Sequence, residues 1–533
     1  MPSTSSRQSA SASTPASVPT GHWSLFNGHS APRSTRRSFL RTAAVGTAAL
    51  AVASRLTSST ARAASASVST DPATEIIYMS ATKLAGLIRE KKVSAVEATK
   101  AYLARIAVVN GKLNAIVALC AERALLEAKE ADAALASGKI LGPLHGVPFT
   151  IKDSLETEGV LSTTGTLGRA NYIPGKDATV VARCRAAGAI LLGKSNTPEF
   201  TLGGADRGTY NLVYGQTYNP YNLAHTPRGS SGGAGAIVAS GGAAFDIGSD
   251  FGGSIRSPAH ACGITGIKPT LGRVSRAGHV PGYGGAWDTY QELGPLARRI
   301  EDLALITGII HGEDFLDPLA ATLPLDDYRT VDLKKLRVAY YLDNKLVTPT
   351  PETLDAMKVA LKAIEGSVAS IQEDFHGGDA QWNEISGKLL RADGGAWKQR
   401  MLTKHGSKQA SPGFADGMGG ESMISSDFTA LIEKRDDLRS RLLGWFEKYD
   451  VIICPTNAFP APALAKPVPP QAGYTSIYNL TGWPAAVVRA GTAKTEGLPI
   501  GIQVIARPFR EDVVFAVAAK IEAATGGWQK PPI

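Results

Sequence analysis

Between Gly146 and Ala506 short apolar runs alternate with helix-like stretches, and that alternation restricts what the chain can fold into. The runs GVPFTIKD (146–153), AILL (189–192), AAFDIG (243–248), RVAYYL (337–342), DVIICP (450–455) and GIQVIA (501–506) have the length and apolar content of buried strands. Between them, ATVVARCRAAG (178–188), GAGAIVASGG (233–242) and FTALIEKRDDLRSRLLGWFEKY (428–449) read as helices. Upstream, residues 81–92, 94–109 and 122–138 space their apolar side chains near 3.6. Strands separated by helices pack as one sheet covered by helices. The expectation is an α/β fold: a single large domain with a mixed, mostly parallel central sheet flanked by many helices. Residues 374–425, rich in Gly, Ser and Met, read as irregular and are a candidate lid or insertion over a site.

The first 63 residues stand apart from this pattern. They hold Arg7, Arg33, Arg36, Arg37, Arg41, Arg55 and Arg62 and no Lys, Asp or Glu. Removing these seven charges from the formal +9 leaves +2, so the remainder has no basic footprint for nucleic acid. STRRSFLR (34–41) supplies paired arginines, TAAVGTAALAVA (42–53) a mild apolar stretch, and ARA (61–63) a small-residue cleavage site. Twelve apolar residues are too few to span a bilayer. Residues 1–63 therefore read as a disordered leader plus a twin-arginine export signal, and 64–533 as the working domain. The expected destination is the periplasm or the medium of a bacterium.

Several motifs match a pattern but fail its context. GAILLGKS (188–195) fits the phosphate-loop spacing, yet its intervening Ala-Ile-Leu-Leu wants to be the strand rather than a loop around a phosphate, so no nucleotide is expected. GSSGG (229–233) fits a nucleophile elbow centred on Ser231, but NLAHTPR (222–228) ahead of it is a proline-bearing loop, not a strand. Histidines with metal-ligand spacing are absent, and Cys120, Cys184, Cys262 and Cys454 are too scattered for a metal site, so neither metal nor cofactor is expected. Buried thiols are the default for the four cysteines.

Three segments remain. GVPFTIKD ends a buried strand on Lys152, PRGSSGGAGAIVASGG opens a helix with Ser230 and Ser231, and GSDFGGSIRSP presents Ser254, 24 positions after Ser230. A lone lysine at a strand end is ordinarily solvated, and a lone Gly/Ser tract is ordinarily a linker. Together they suit catalysis without histidine: a buried lysine favours its neutral form and can serve as base, and a serine hydroxyl can bridge it to a second serine. The Phe251–Gly252–Gly253 backbone can then turn N–H groups toward an oxyanion formed when Ser254 attacks a carbonyl.

At these residues the chain resembles the amidase signature family, through GSSGG, the step to GGSIR, GIKPT (266–270) and the upstream KD. The resemblance runs from about residue 75 to the C-terminus and takes in NPYN, DVIICPT, NLTGWPA and GLPIGIQVIARP. QELGPLARRIEDLAL (291–305) and the tail GGWQKPPI look most like the fatty-acid-amide-hydrolase-like branch. The resemblance implies a Ser–cis-Ser–Lys triad with Ser254 as nucleophile, Ser230 as the bridge in a cis peptide and Lys152 as base. It also implies an oxyanion hole from the backbone of Phe251, Gly252, Gly253 and Ser254, a loop-fixing pair Asp250–Arg256, and a site-lining carbonyl at Gly204. One departure stands out: where the family usually has Gly before GSSGG, this chain has Arg228, which narrows or charges the approach to Ser230. The implied activity is hydrolysis of a small-molecule carboxamide C–N bond through an acyl-enzyme, without cofactor. Alternatives are an esterase or carbamate hydrolase on the same triad, and the glutaminase subunit of a tRNA-dependent amidotransferase, against which the export signal argues. A homodimer is compatible with all of these.

Overall fold

The computed structural model describes residues 72–203, 208–282, 285–464, 466 and 473–533. The leader and its paired arginines, and Gly204, lie outside the described residues.

Thirteen strands follow one another along the described chain: β1 Ile116–Leu119, β2 Pro148–Lys152, β3 Ile190–Ser195, β4 Tyr210–Asn211, β5 Gly215–Gln216, β6 Phe245–Asp250 and β7 Thr265–Lys268. Then come β8 Glu292–Ala297, β9 Arg337–Tyr340, β10 Ser370–Glu373, β11 Val451–Pro455, β12 Ala485–Thr492 and β13 Pro499–Ala506. β4 and β5 pair by themselves, and the other eleven form one sheet in the order β1-β3-β2-β6-β8-β7-β12-β13-β11-β9-β10. All six expected strands lie in that sheet.

The sheet is mixed, as expected, but parallel pairing is the minority. β2 pairs parallel with β3 and β6, and β9 pairs parallel with β10 and β11; the other six neighbouring pairs are antiparallel. The cause is connectivity. A parallel neighbour needs a crossover, commonly a helix, whereas the described residues of 269–291 between β7 and β8, and 493–498 between β12 and β13, contain no α-helix and return the chain antiparallel.

Side chains on the two faces of the sheet enter different cores. On β11, Val451 and Ile453 join the larger apolar cluster, while Ile452 and Cys454 join a second one with Trp382, Phe446, Tyr478 and Trp483. Cys184, Cys262 and Cys454 are buried free thiols, and Cys120 is half-buried. Residues 374–425 are more regular than expected: Asp379–Leu389, Ala396–Lys404 and Pro412–Ala415 are helices, with the glycines of this stretch mostly falling between them. No helix among the described residues is long and apolar enough to cross a membrane.

Candidate active site

Strand periodicity aims Lys152. Phe149 and Ile151 of β2 point into the larger apolar core, where Phe149 stacks on Phe245 with ring centroids 5.1 Å apart. Thr150 and Lys152 therefore take the other face, and Thr150 Oγ1 donates to Asp246 Oδ2 at 2.6 Å across the parallel β2–β6 pair. Lys152 is the last residue of β2, and Asp250 is the last of its parallel neighbour β6. The site thus forms beyond the carboxyl ends of adjacent parallel strands, the position where open α/β sheets bind ligands.

The Lys152 amine is fully buried and ringed by hydroxyls. Its Nζ lies 2.7 Å from Ser230 Oγ, 2.9 Å from Ser231 Oγ and 2.9 Å from Ser249 Oγ. Burial lowers its pKa to about 7, with Asp250 and Asp246 pulling weakly the other way. A second buried lysine, Lys194, sits in the strand formed by the GAILLGKS segment. Its Nζ donates to Leu155 O and to Thr157 Oγ1, so it closes a loop inside the fold rather than meeting Ser230, Ser231 or Ser254.

Ser230 and Ser231 precede the helix Gly232–Ala239, and the Gly229–Ser230 peptide is cis. Ser231 packs on Gly248 of β6, where an added Cβ would sit 2.7 Å from the Ser231 hydroxyl oxygen; only glycine lets the two segments approach. The Ser231 N–H also donates to Ser254 O at 3.1 Å, tying the two serine segments together. Ser230 and Ser254 line one cavity of about 130 Å³ with Thr201, Arg228 and Ser257. No hydrogen bond joins the Ser230 and Ser254 hydroxyls, and no described histidine bonds to Ser230, Ser231 or Ser254. The His279 ring contacts Ser154 Oγ at 3.0 Å instead.

The loop after β6 is shaped by one carboxylate. Asp250 Oδ1 accepts from Gly253 N at 2.7 Å and from Arg256 Nη2 at 2.9 Å, while Oδ2 accepts from Ile255 N at 3.0 Å and Arg256 Nε at 3.1 Å. Burial alone would raise the Asp250 pKa, but the Arg256 guanidinium and these bonds hold it far below the usual carboxylate range. Asn479, Thr475 and Gln503 brace the pair from distant sequence: Arg256 donates to Asn479 Oδ1 at 2.6 Å, Thr475 O at 2.9 Å and Gln503 Oε1 at 3.3 Å. One expectation changes here. The Gly253 N–H, expected to face an oxyanion, is spent on Asp250, because that short bond is what turns the loop. Its φ of +124° and a Cβ position 2.3 Å from Thr475 Oγ1 still demand glycine. At Gly252 the nearest atom to an added Cβ, Ser476 Cβ, is 4.0 Å away.

A second, apolar cavity of about 160 Å³ borders the other side of this loop, lined by Phe251, Gly252, Tyr290, Trp382, Leu389 and Leu390 among others. Trp382 and Leu389 come from the helix Asp379–Leu389, so the 374–425 segment contributes a wall beside the loop. The sequence marked 374–425 as a candidate lid or insertion but not which of its residues form this wall, and it left Ser249 unassigned although Ser249 stands in the same GSDFGGSIRSP run as Ser254. Among the described residues no group of three His, Cys, Asp or Glu side chains is placed to hold a metal ion.

An α/β sheet with a lysine whose pKa burial lowers, set among serines at its strand ends, is the framework of a hydrolase class that dispenses with histidine. The family model described as Amidase matches residues 97–515, and the chain belongs to the amidase signature family of hydrolases. Among curated relatives, a glutamyl-tRNA(Gln) amidotransferase subunit from Moorella thermoacetica is 36% identical over 490 residues, covering 86% of this chain and 99% of that protein. The corresponding protein of Roseiflexus sp. is 36% identical over 475 residues, covering 83% and 95%. Among solved structures, a fatty acid amide hydrolase superposes with a TM-score of 0.77 at 25% identity, over 86% of this chain and 87% of the other. A peptide amidase from Stenotrophomonas maltophilia gives 0.72 at 27% identity, over 85% and 98%.

Proposed function

We propose that this chain hydrolyses a small-molecule carboxamide to a carboxylate and an amine or ammonia, using Ser254, Ser230 and Lys152. The observation that carries the reading is the buried Lys152 amine, with a pKa lowered to about 7, 2.7 Å from Ser230 Oγ in a cavity that Ser254 also lines. Neutral Lys152 takes the Ser230 proton as Ser230 takes the Ser254 proton, and Ser254 Oγ attacks the carbonyl carbon. N–H groups of the 251–254 loop other than Gly253 stabilise the oxyanion. The C–N bond then breaks, the leaving nitrogen receives the proton back through Ser230, and water releases the acyl group from Ser254 by the same relay. Asp250 and Arg256 hold the loop and take no part in proton transfer.

The second reading, a glutaminase component of a tRNA-dependent amidotransferase, is favoured by what the curated relatives are called. It differs in needing partner proteins and in restricting the amide donor to glutamine. An ester- or carbamate-directed enzyme is the third. Hydrolysis of a panel of aliphatic, aryl, fatty-acyl and peptide amides, esters and glutamine by the purified chain alone separates the three. Turnover of glutamine only, and only with the other amidotransferase components added, would establish the second. The triad itself is tested by Ser254→Ala, which should leave a folded protein without turnover, and by a fluorophosphonate probe, which should label Ser254. Labelling at Ser231 instead would restore the elbow reading. We further propose that residues 1–63 direct export of the folded enzyme.

A further inference from the structure

The wall of the serine cavity carries a cation that no described residue neutralises. Arg228 lines the cavity with Gly208, Ser230, Ser254 and Ser257, lying deep in the fold with part of its surface open to that space. Its backbone is fixed: the Arg228 N–H donates to Thr226 Oγ1 at 3.0 Å and its carbonyl accepts from Thr209 Oγ1 at 3.0 Å. Among the described residues the guanidinium makes a single hydrogen bond, from Nη2 to Asn457 Oδ1 at 2.8 Å, and sits 5.6 Å from the Phe459 ring centroid. Its Nε is buried with no partner.

Other buried arginines are handled differently. Arg256 pairs with Asp250 at 2.9 Å, Arg273 with Glu511 at 2.9 Å and Arg276 with Asp317 at 2.8 Å. Arg298 has no carboxylate but donates to three backbone carbonyls, of Val238, Ala243 and Met79, and to the Tyr102 hydroxyl. Among the described residues Arg228 has neither solution. Burial lowers its pKa only to about 10, so it stays charged at neutral pH, while burial holds nearby His260 neutral with a pKa of about 4. A largely desolvated charge with no counter-ion among the described residues is costly, and Arg228 lines the same cavity as the reacting serines.

We propose that Arg228 binds a carboxylate on the substrate, so that the preferred amides carry an anionic group a few bonds from the scissile carbonyl. This deepens the amide-hydrolase reading and rests on it. The guanidinium fork offers two parallel N–H donors to one carboxylate. Arg228 and both serines line this one cavity of about 130 Å³, so the link between carboxylate and amide is short. Monoamides of short dicarboxylic acids and N-acylglycines both meet that description.

The test compares kcat/KM for succinamate with its methyl ester, following ammonia release, and for N-phenylacetylglycine with its amide, following phenylacetate release. The full chain should prefer a carboxylated member of at least one pair by on the order of ten- to a hundredfold, mostly through KM. Arg228→Gln should erase the preference, and Arg228→Lys, which keeps the charge, should restore most of it. Calorimetric titration of the Ser254→Ala chain with the same four compounds reads binding without turnover. No carboxylate preference in either assay overturns the proposal, as does a preference that survives Arg228→Gln. Arg228-dependent binding in a chain that hydrolyses no amide would uphold this inference while removing the amidase reading. Neutral amides turned over without carboxylate preference would do the reverse.

Discussion

Replacing Lys152 with alanine tests the centre of the mechanism. An ordinary lysine with a pKa of about 10.4 is neutral in only about one molecule in 2,500 at pH 7. With the pKa lowered to about 7 by burial, about half of the enzyme holds the neutral base. The sign follows directly: the active form is deprotonated, so kcat/KM should climb about tenfold per pH unit below pH 6 and level off above pH 8. Lys152→Ala should abolish that limb and lower amide hydrolysis by at least about a hundredfold, the usual scale of general base catalysis. A matched ester should lose less, because an alkoxide leaves with less need of a proton than an amine does. The same shift acts on stability. Because the folded pKa lies below the unfolded one, the unfolded chain binds the extra proton between about pH 7 and 10, and stability from this group rises with pH across that window. At pH 7 the buried amine therefore disfavours folding by on the order of 4 kcal/mol, and Lys152→Met should raise the melting temperature while removing activity. The assay is a pH–rate profile of wild type and both variants on an amide and its ester, with thermal melts at pH 7. A flat wild-type profile from pH 5 to 9, or near-wild-type amidase activity in Lys152→Ala, would refute the reasoning.

Asp250→Asn should leave Arg256 buried without its charge partner and cost about 3–5 kcal/mol in urea unfolding, since both groups are fully buried; a loss under 1 kcal/mol would mean the pair does not set the loop. Gly253→Ala should destabilise the chain by about 1–3 kcal/mol because of its positive φ and the Thr475 contact, while Gly252→Ala should keep the fold, so equal melting temperatures for the two would contradict the loop geometry. Arg36→Lys with Arg37→Lys should trap precursor in the cytoplasm, read by fractionating cells and blotting; unchanged export would remove the twin-arginine reading.

Local pattern alone carried the strands around the site, because β2, β3 and β6 are short runs buried along their whole length and so read as apolar stretches in the sequence. The Gly/Ser segments and the spacing between them were equally visible, and so was the odd arginine at 228. Strands whose composition works against them were not. β8 (ELGPLA) holds a glycine and a proline in mid-sheet, β12 (AAVVRAGT) is rich in alanine, and β1 fully buries only Ile116 of its four residues. Their places are set by neighbours far along the chain, as when β12 inserts between β7 and β13. The same distance hid the rest of the site. Nothing near Asp250 in sequence announces that Asn479 and Thr475, more than 200 positions away, will brace its loop, or that its carboxylate will claim the Gly253 N–H. Which serines ring Lys152, what wall Trp382 supplies and whether Arg228 meets a counter-ion depend on how distant segments pack. The sequence determined which chemical groups were available and that Lys152 would end a buried strand; tertiary packing alone decided which donors were spent within the fold and which were left for a ligand.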